Sequence, residues 1–531
     1  MRNQAPSIGG IRIKRFFSIL LLLIAIFLTQ LIRYQLVDAP ALNKVSFDKR
    51  SVTNVVPAIR GRILDSAGNI LAETVYYYDI NIDPSIVGPF GRKLNGQDTE
   101  ISVEQAKTEL SGVLKVDESE IATKMLGKSR YANLKKAVDP ATYRAVKALD
   151  IPWVFSDPIP HRIYPNGAVA GNLLGFVGKD GQALEGLEIT MNSCLAGQDG
   201  KEVYEKGVDG IKIPASTQTT KAAKPGQDLV LTINSDLQYY AQQVMTKYVK
   251  KEKAEWGSAV VIEAATGKIL AAAEAPTVDP NVYWKADAAD RGARIFQETF
   301  EPGSTLKTVT AATLLDQGKA DPLTQVMAPY NLKVLHGTES IQDSHLHGNE
   351  KLTLTGVLAE SSNTGIVQLG SKVSAQTRYE YYKKFGLGAR TGVNFTGEGS
   401  GILHSPDQTD KLSQLTEMFG QAMSVTPIQT AMIYQTIANK GTRLSPILVE
   451  GCKDASGKLV PSTVPAPVKV MSPKAARSTV DMLENVVLSG GIGKTAKIPG
   501  YRVGGKTGTA QIKTGSRYGN RFAISFIGMV P

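Results

Sequence analysis

The sequence predicts an α+β chain in three parts: a membrane-spanning helix, a mixed domain, and a domain with helices packed on an antiparallel sheet. Three observations predict it. An uncharged apolar run lies near the start, from Phe16 to Ile32. Strand-like and helix-like pieces then alternate to about residue 225. Beyond that, strands come first, helices in the middle and strands last, the order of an antiparallel sheet covered by helices. At 531 residues the chain can hold two or three domains with ample core.

The first element is "RIKRFFSILLLLIAIFLTQLIRYQLV". With Arg33 snorkelling, the apolar run reaches Val37, about the ~20 residues a spanning helix needs. Arg12, Lys14 and Arg15 precede it, so the positive-inside rule places residues 1–15 in the cytoplasm and 16–37 in the membrane. The run is long for a signal peptide, and no small-x-small cleavage site follows cleanly. It reads as an uncleaved, single-pass anchor, with everything after residue 38 outside the cytoplasm.

Composition narrows the partners. The net charge of +11 is spread along the chain, whereas a nucleic-acid binder clusters it. An anionic membrane face or a cell-wall polymer suits this charge better, and plain solubility accounts for it equally well. Cys194 and Cys452 are the two cysteines. They make neither a disulfide framework nor a zinc site, and their pairing is not legible. Asp343-Ser-His345-Leu-His347 lacks the carboxylate or cysteine cluster of a metal site. It reads as a polar surface loop, and no metal is expected.

In the mixed domain, residues 38–225, "VYYYDINIDP" reads as strand and "VEQAKTELSGVL" as helix. "STQTTKAAKPGQD" is polar with a Pro-Gly and reads as a linker or hairpin end. In residues 226–531, "DLVLTINSDLQYYAQQVMTKYVKKEKA" reads as strand, turn and long helix. "GSAVVIEAATGKILAAAEAP" reads as a hairpin about Ala265-Thr266-Gly267-Lys268. "RVGGKTGTAQI" and "RFAISFIGMVP" read as two late strands.

Between them lies "FEPGSTLKTVTAATLLDQG", with Ser304 and Lys307 at the start of an apolar helix. A serine hydroxyl becomes a useful nucleophile when a base takes its proton. At i and i+3 on a helix the two side chains share a face, and a buried lysine near other cations has a lowered pKa and can be that base. Ser-x-x-Lys alone is weak. It recurs at Ser46-Phe-Asp-Lys49, among charged residues just outside the membrane, and that copy is read as chance. Two further pieces strengthen the first copy. "LAESSNTGIVQLG" puts Ser361-Ser362-Asn363 in a turn before an apolar helix, where capping is the plainer explanation. "VGGKTGTAQI" puts Lys506-Thr507-Gly508 on a strand whose glycines let a substrate backbone lie close. A second Lys-Thr-Gly, Lys513-Thr514-Gly515, precedes turn-like residues and is read as the hairpin connection.

In that order the three pieces match the serine–lysine acyl-transfer signature known from penicillin-binding proteins and class A β-lactamases. "RGRILDSAGNILAE" and the stretch from Arg162 to Gly200 look like pedestal motifs, and "VTPIQTAMIYQTIANKG" falls where the catalytic domain has a similar segment. Nearly the whole chain resembles the class B penicillin-binding proteins, the monofunctional D,D-transpeptidases of bacterial cell-wall synthesis. The "QAMSVTPIQ" and "IPGYRVGGKTGTAQ" segments are nearer the septal, cell-division branch, with the elongation branch as the alternative.

The resemblance implies a dimerisation-type pedestal over residues 38–225 and a β-lactamase-like transpeptidase domain over 226–531, its antiparallel sheet covered by helices on both faces. It implies that Ser304 attacks the penultimate D-Ala carbonyl of a stem peptide while Lys307 takes the proton. A proton reaches the leaving D-Ala through Ser361 and its neighbours Lys307 and Lys506. Asn363 orients the substrate amide and Lys307. Lys506, Thr507 and Thr509 receive the substrate carboxylate beside Gly508, and the N–H groups of Ser304 and Thr509 form the oxyanion hole. β-Lactams acylate Ser304. No cofactor, metal or nucleic acid is implied. The implied setting is the bacterial inner membrane, beside a polytopic lipid II polymerase and divisome proteins. A β-lactamase or D,D-carboxypeptidase shares the motifs but needs neither anchor nor pedestal; a β-lactam-sensing receptor needs more spans and a cytoplasmic effector. In the family, a further strand and a C-terminal helix follow the Lys-Thr-Gly strand. The sequence stops at Pro531, so the expectation is a C-terminally incomplete form, poorly stable and slow to acylate; a non-catalytic divisome scaffold is the alternative in that case.

Overall fold

A computed structural model describes residues 8–94, 96–127, 129–206, 216–488, 493–514 and 517–530. They form two compact units, Met1–Ala58 with Gly197–Pro225, and Ile59–Ala196 with Gly226–Pro531.

In the first unit the helix Ile8–Ile32 carries the apolar run, extended by a five-residue π-helical turn, Arg33–Val37, and by the helix Ala39–Arg50. Phe16, Leu21, Phe27 and Leu36 are exposed along it, as lipid-facing side chains are. Among the described residues Gly10–Val37 is the one helix long and apolar enough to cross a membrane. The strand Ser51–Val56 pairs antiparallel with Gly200–Glu205, which pairs with Gln218–Lys221. Of the two readings of "STQTTKAAKPGQD", linker or hairpin end, the pairing favours the second. Thr219 and Thr220 suit a pleated backbone, and Gln218–Lys221 completes a three-stranded sheet.

The second unit is built on one twisted sheet. Its strand order is Leu459–Pro461, Val449–Lys453, Asp228–Leu231, Ile63–Leu64, Ile70–Ile82 and Ala132–Val138, with Val154–Ile163 also on Ile70–Ile82. Ile63, Leu71, Leu229 and Leu231 meet in its core. The helix Val103–Leu114 buries Ala106, Leu110 and Leu114 at four-residue spacing, one helical face turned to the core.

The quoted motifs converge here. Glu188, wholly buried, accepts from Arg60 Nε, from Arg162 Nε at 2.8 Å and from the Tyr164 hydroxyl at 3.1 Å. A carboxylate this deep is stable only because two guanidinium groups and a hydroxyl satisfy it. Asp65 accepts from the Ser235 hydroxyl at 2.6 Å, so "RGRILD" anchors the start of the helix Ser235–Glu252.

Both predicted hairpins form, Gly257–Ile262 with Ile269–Ala275 and Gly504–Thr514 with Arg517–Met529. Among the described residues no ladder joins them. A cavity of about 2200 Å³, lined by Val261, Tyr434, Phe522 and Ile524, lies between them.

Cys194 and Cys452, left unpaired by the sequence, form a disulfide across 258 positions. It ties the short helix Asn192–Leu195 to the strand Val449–Lys453. Closing so long a loop stabilises mainly by restricting the unfolded chain. Cys452→Ser is expected to cost about 2–4 kcal/mol, read as a lower melting temperature. Wild type in reductant should melt with the variant; an unchanged variant would contradict the bond.

Candidate active site

The residue that lets the serine turn form is Gly303. Its φ is +57°, and a Cβ there would lie 2.9 Å from the Thr509 carbonyl oxygen. Gly508 answers from the opposite side, where a Cβ would lie 2.9 Å from the Pro302 carbonyl oxygen. Two glycines thus allow the strand Gly504–Thr514 to lie on the serine turn. Gly303–Leu306 is a 3₁₀ turn that runs into the α-helix Lys307–Asp316. Behind it, a capping box of Thr426 and Gln429 starts the helix Pro427–Ala438. On that helix the Tyr434 hydroxyl donates to the Thr305 carbonyl at 3.1 Å and lies 2.9 Å from Thr308 Oγ1.

Lys307 is completely buried. Its Nζ lies 3.0 Å from Ser304 Oγ and 3.2 Å from Ser361 Oγ, and donates to the Ser361 carbonyl. Burial, and then the charge of Lys506, push its pKa well below the ordinary lysine range against the opposing pull of Asp343. A neutral amine has two protons and one lone pair. The Ser361 carbonyl must accept one proton and Ser361 Oγ can accept the other. The lone pair is then left for the Ser304 hydroxyl, the arrangement a general base needs.

Lys506 is equally buried; its Nζ donates to Ser361 Oγ at 2.9 Å and to the Thr507 carbonyl at 3.4 Å. Burial lowers its pKa to about 8. Ser361 therefore bridges two buried lysines. It holds this place with φ +60°, a left-handed conformation that a serine adopts at a cost of about 1 kcal/mol or more.

The two serines face different partners. Ser362 caps the helix Asn363–Gly370, its Oγ accepting from Gly365 N at 2.9 Å, which leaves Ser361 to face the lysines. The expected contact of Asn363 with Lys307 is not formed. Asn363 is the first residue of the helix, and its Nδ2 donates to the Gln342 carbonyl at 2.8 Å. Thr507 is half-buried, Gly508 buried and Thr509 exposed. Lys513 pairs with Tyr518 on the same hairpin. Seven residues at about 3.3 Å each put it roughly 23 Å along the strand from Lys506. Gly515 of that second triplet lies outside the described residues. Ser46 and Lys49 lie in the helix Ala39–Arg50, in the first unit.

Sequence reasoning missed Asp343. It is buried, not part of a solvated loop. Its carboxylate accepts from Ser362 Oγ at 2.7 Å, from Thr364 N at 3.0 Å and from Asn363 N. The available signal was an acidic residue in a polar segment before a helix N-terminus. Its distance of about twenty positions hid it.

Residues 257–531 match the penicillin binding protein transpeptidase domain, and residues 55–231 the penicillin-binding protein dimerisation domain. The chain is 33% identical to penicillin-binding protein PbpB of Mycolicibacterium smegmatis, covering 96% of this chain and 82% of that one. It is 31% identical to the peptidoglycan D,D-transpeptidase FtsI of Escherichia coli, covering 91% and 79%. Among solved structures it is similar to a peptidoglycan synthetase from Bifidobacterium adolescentis, with TM-score 0.70, 30% identity and coverage of 91% and 90%. It is also similar to penicillin binding protein 3 of Mycobacterium tuberculosis in complex with ampicillin, with TM-score 0.68, 28% identity and coverage of 90% and 87%.

Proposed function

This chain belongs to the class B penicillin-binding proteins, the peptidoglycan D,D-transpeptidases, and on that premise we propose that Ser304 is the acylated nucleophile of a septal cross-linking reaction. The observation that carries this is the position of Lys307 Nζ, fully buried and 3.0 Å from Ser304 Oγ. Ser304 Oγ bonds to the penultimate D-Ala carbonyl carbon, and its proton passes to Lys307. The bond to the terminal D-Ala nitrogen breaks, and that nitrogen takes a proton through Ser361. An acceptor-stem amine then displaces Ser304 and closes the cross-link. Lys506, with Thr507, Gly508 and Thr509, binds the substrate carboxylate. The N–H groups of Ser304 and Thr509 polarise the carbonyl, and Asn363 orients the substrate amide. β-Lactams acylate the same oxygen.

The helix Gly10–Val37 anchors the protein in the plasma membrane. Arg12, Lys14 and Arg15 keep residues 1–15 cytoplasmic, and the catalytic residues work outside. The division is a span at 16–37, a pedestal at 38–225 and the transpeptidase domain from 226 onward. The pedestal is the surface for a polytopic lipid II polymerase and divisome proteins. The match to FtsI favours the septal over the elongation branch.

Supplied with a donor pentapeptide and an acceptor stem, the purified protein should release one D-Ala per cross-link formed. Lys506→Ala should slow this about 10²-fold or more, and Lys513→Ala little, because only Lys506 reaches Ser361. Equal losses, or hydrolysis without cross-linking, would overturn the assignment.

A further inference from the structure

The Asp343-Ser-His345-Leu-His347 segment has no part in the chemistry described so far, yet two of its side chains turn inward. Side-chain exposure is 3% for Asp343 and 8% for His347, while His345 and Leu346 are exposed. His347 Nδ1 lies 2.7 Å from the Gly348 carbonyl oxygen, and Nε2 lies 3.0 Å from Asp343 Oδ2. A carbonyl oxygen only accepts, so Nδ1 carries a proton. A neutral ring would then aim the Nε2 lone pair at the carboxylate. Asp343 itself already accepts from the N–H groups of Asn363 and Thr364 and from the Ser362 hydroxyl. Both ring nitrogens thus face acceptors, and the geometry calls for the imidazolium.

We propose that His347 and Asp343 are positioning residues for the acyl-transfer site: the imidazolium holds the carboxylate, and the carboxylate holds the Ser361-Ser362-Asn363 turn against Lys307 and Lys506. The chain of contacts is continuous. Ser362, Asn363 and Thr364 hang on Asp343, and the neighbouring Ser361 keeps its left-handed backbone and bridges the two lysines. Without that tether the strained turn has an easier conformation to relax into.

The groups facing His347 are Asp343 on its own segment, Glu350 with Oε2 at 3.8 Å, the His345 ring at 5.3 Å and the Tyr330 ring at 6.0 Å. Past Asp343, Lys307 and Lys506 meet at Ser361 Oγ. Burial pulls the imidazole pKa down. The Gly348 carbonyl, the Asp343 hydrogen bond and the charges of Glu350 and Asp343 outweigh it and hold the pKa above its ordinary value. A raised folded-state pKa has a definite sign. The tether is complete below the unfolded value of about 6.5 and is lost as pH rises through the folded value.

The proposal rests on Ser304 acylation, which the loss of labelling in Ser304→Ala tests separately. Acylation rates of the full chain with a fluorescent penicillin would be measured from pH 5.5 to 9 for wild type, His347→Ala and His347→Gln, each with a melting curve. Glutamine sets an amide N–H near the place of Nε2 and does not titrate. Losing the donor in His347→Ala should slow acylation about tenfold at pH 6.5. His347→Gln should recover most of that rate, with its alkaline fall moved up towards the Lys506 value of about 8. His347→Ala matching wild type at every pH would overturn the proposal. So would His347→Gln keeping the wild-type alkaline fall, which decides the matter even where His347→Ala does not fold.

Discussion

Ser304→Ala abolishes covalent labelling by a fluorescent penicillin, and cross-linking with it, while the melting temperature stays within a few degrees of wild type. Loss of a catalytic serine costs up to about 10⁶ in turnover. Lys307 Nζ, with its pKa pushed down, lies 3.0 Å from the Ser304 hydroxyl. Ser361 does lie within reach of Lys307 and Lys506, but its Oγ receives hydrogen bonds from them. Ser304 is half-buried at the start of its helix, and in the alanine variant Lys307 Nζ keeps its contacts with Ser361. Gel fluorescence against time, with mass spectrometry of the labelled peptide, measures this directly. Persistent labelling in the variant would put the nucleophile elsewhere. Ser46→Ala should label as wild type.

Lys307→Ala has the second largest effect, a fall of about 10³–10⁴ in acylation rate, the range of a positioned general base. Lys307→Arg should be nearly as inactive, although it keeps the charge, because a guanidinium stays protonated at any working pH. An arginine that restored activity would show that charge, not proton transfer, is what position 307 supplies. The pH profile carries the same logic. The rate rises on the acid side as Lys307 loses its proton. It falls on the alkaline side first as His347 loses the proton that tethers the turn, and then as Lys506, with its pKa of about 8, loses the charge offered to the substrate carboxylate. Stability follows its own sign. The folded pKa of Lys307 is depressed below the unfolded value, so the unfolded chain binds more protons and stability rises with pH across that interval. Lys307→Met, which removes the buried amine and keeps its volume, should therefore melt higher than wild type at neutral pH while being catalytically dead.

Much of the fold was legible because its signals are local. Phe16 to Ile32 declares by its length and lack of charge a helix apolar enough to cross a membrane. The turn at Ala265-Thr266-Gly267-Lys268 sits between two apolar runs, and the hairpin forms there. Pro302-Gly303 before Ser304 announced a helix start, and it is the left-handed Gly303 that makes the turn possible. Residue types in order were enough to select Ser304, Lys307, Ser361, Asn363 and Lys506 as candidates.

What the sequence could not decide is which of these groups touch. Lys307 meets Ser361 across 54 positions, and Ser361 meets Lys506 across 145. Protonation at the site depends on that meeting, since burial and the second lysine's charge shift the first one's pKa. The same holds for Cys194 with Cys452, for Glu188 between Arg60 and Arg162, and for Gln218–Lys221, a polar stretch that becomes a strand only beside Gly200–Glu205. Asn363 turned to Gln342 rather than to Lys307 because its helix begins at that residue. Asp343 and His347 looked solvated because their neighbours in sequence are; their neighbours in space are the turn that carries Ser361. By itself the sequence determined periodicity, turns and the span, all set by residues a few positions apart. The tertiary structure alone decided desolvation and charge pairing, because both depend on atoms that the chain brings together only when folded.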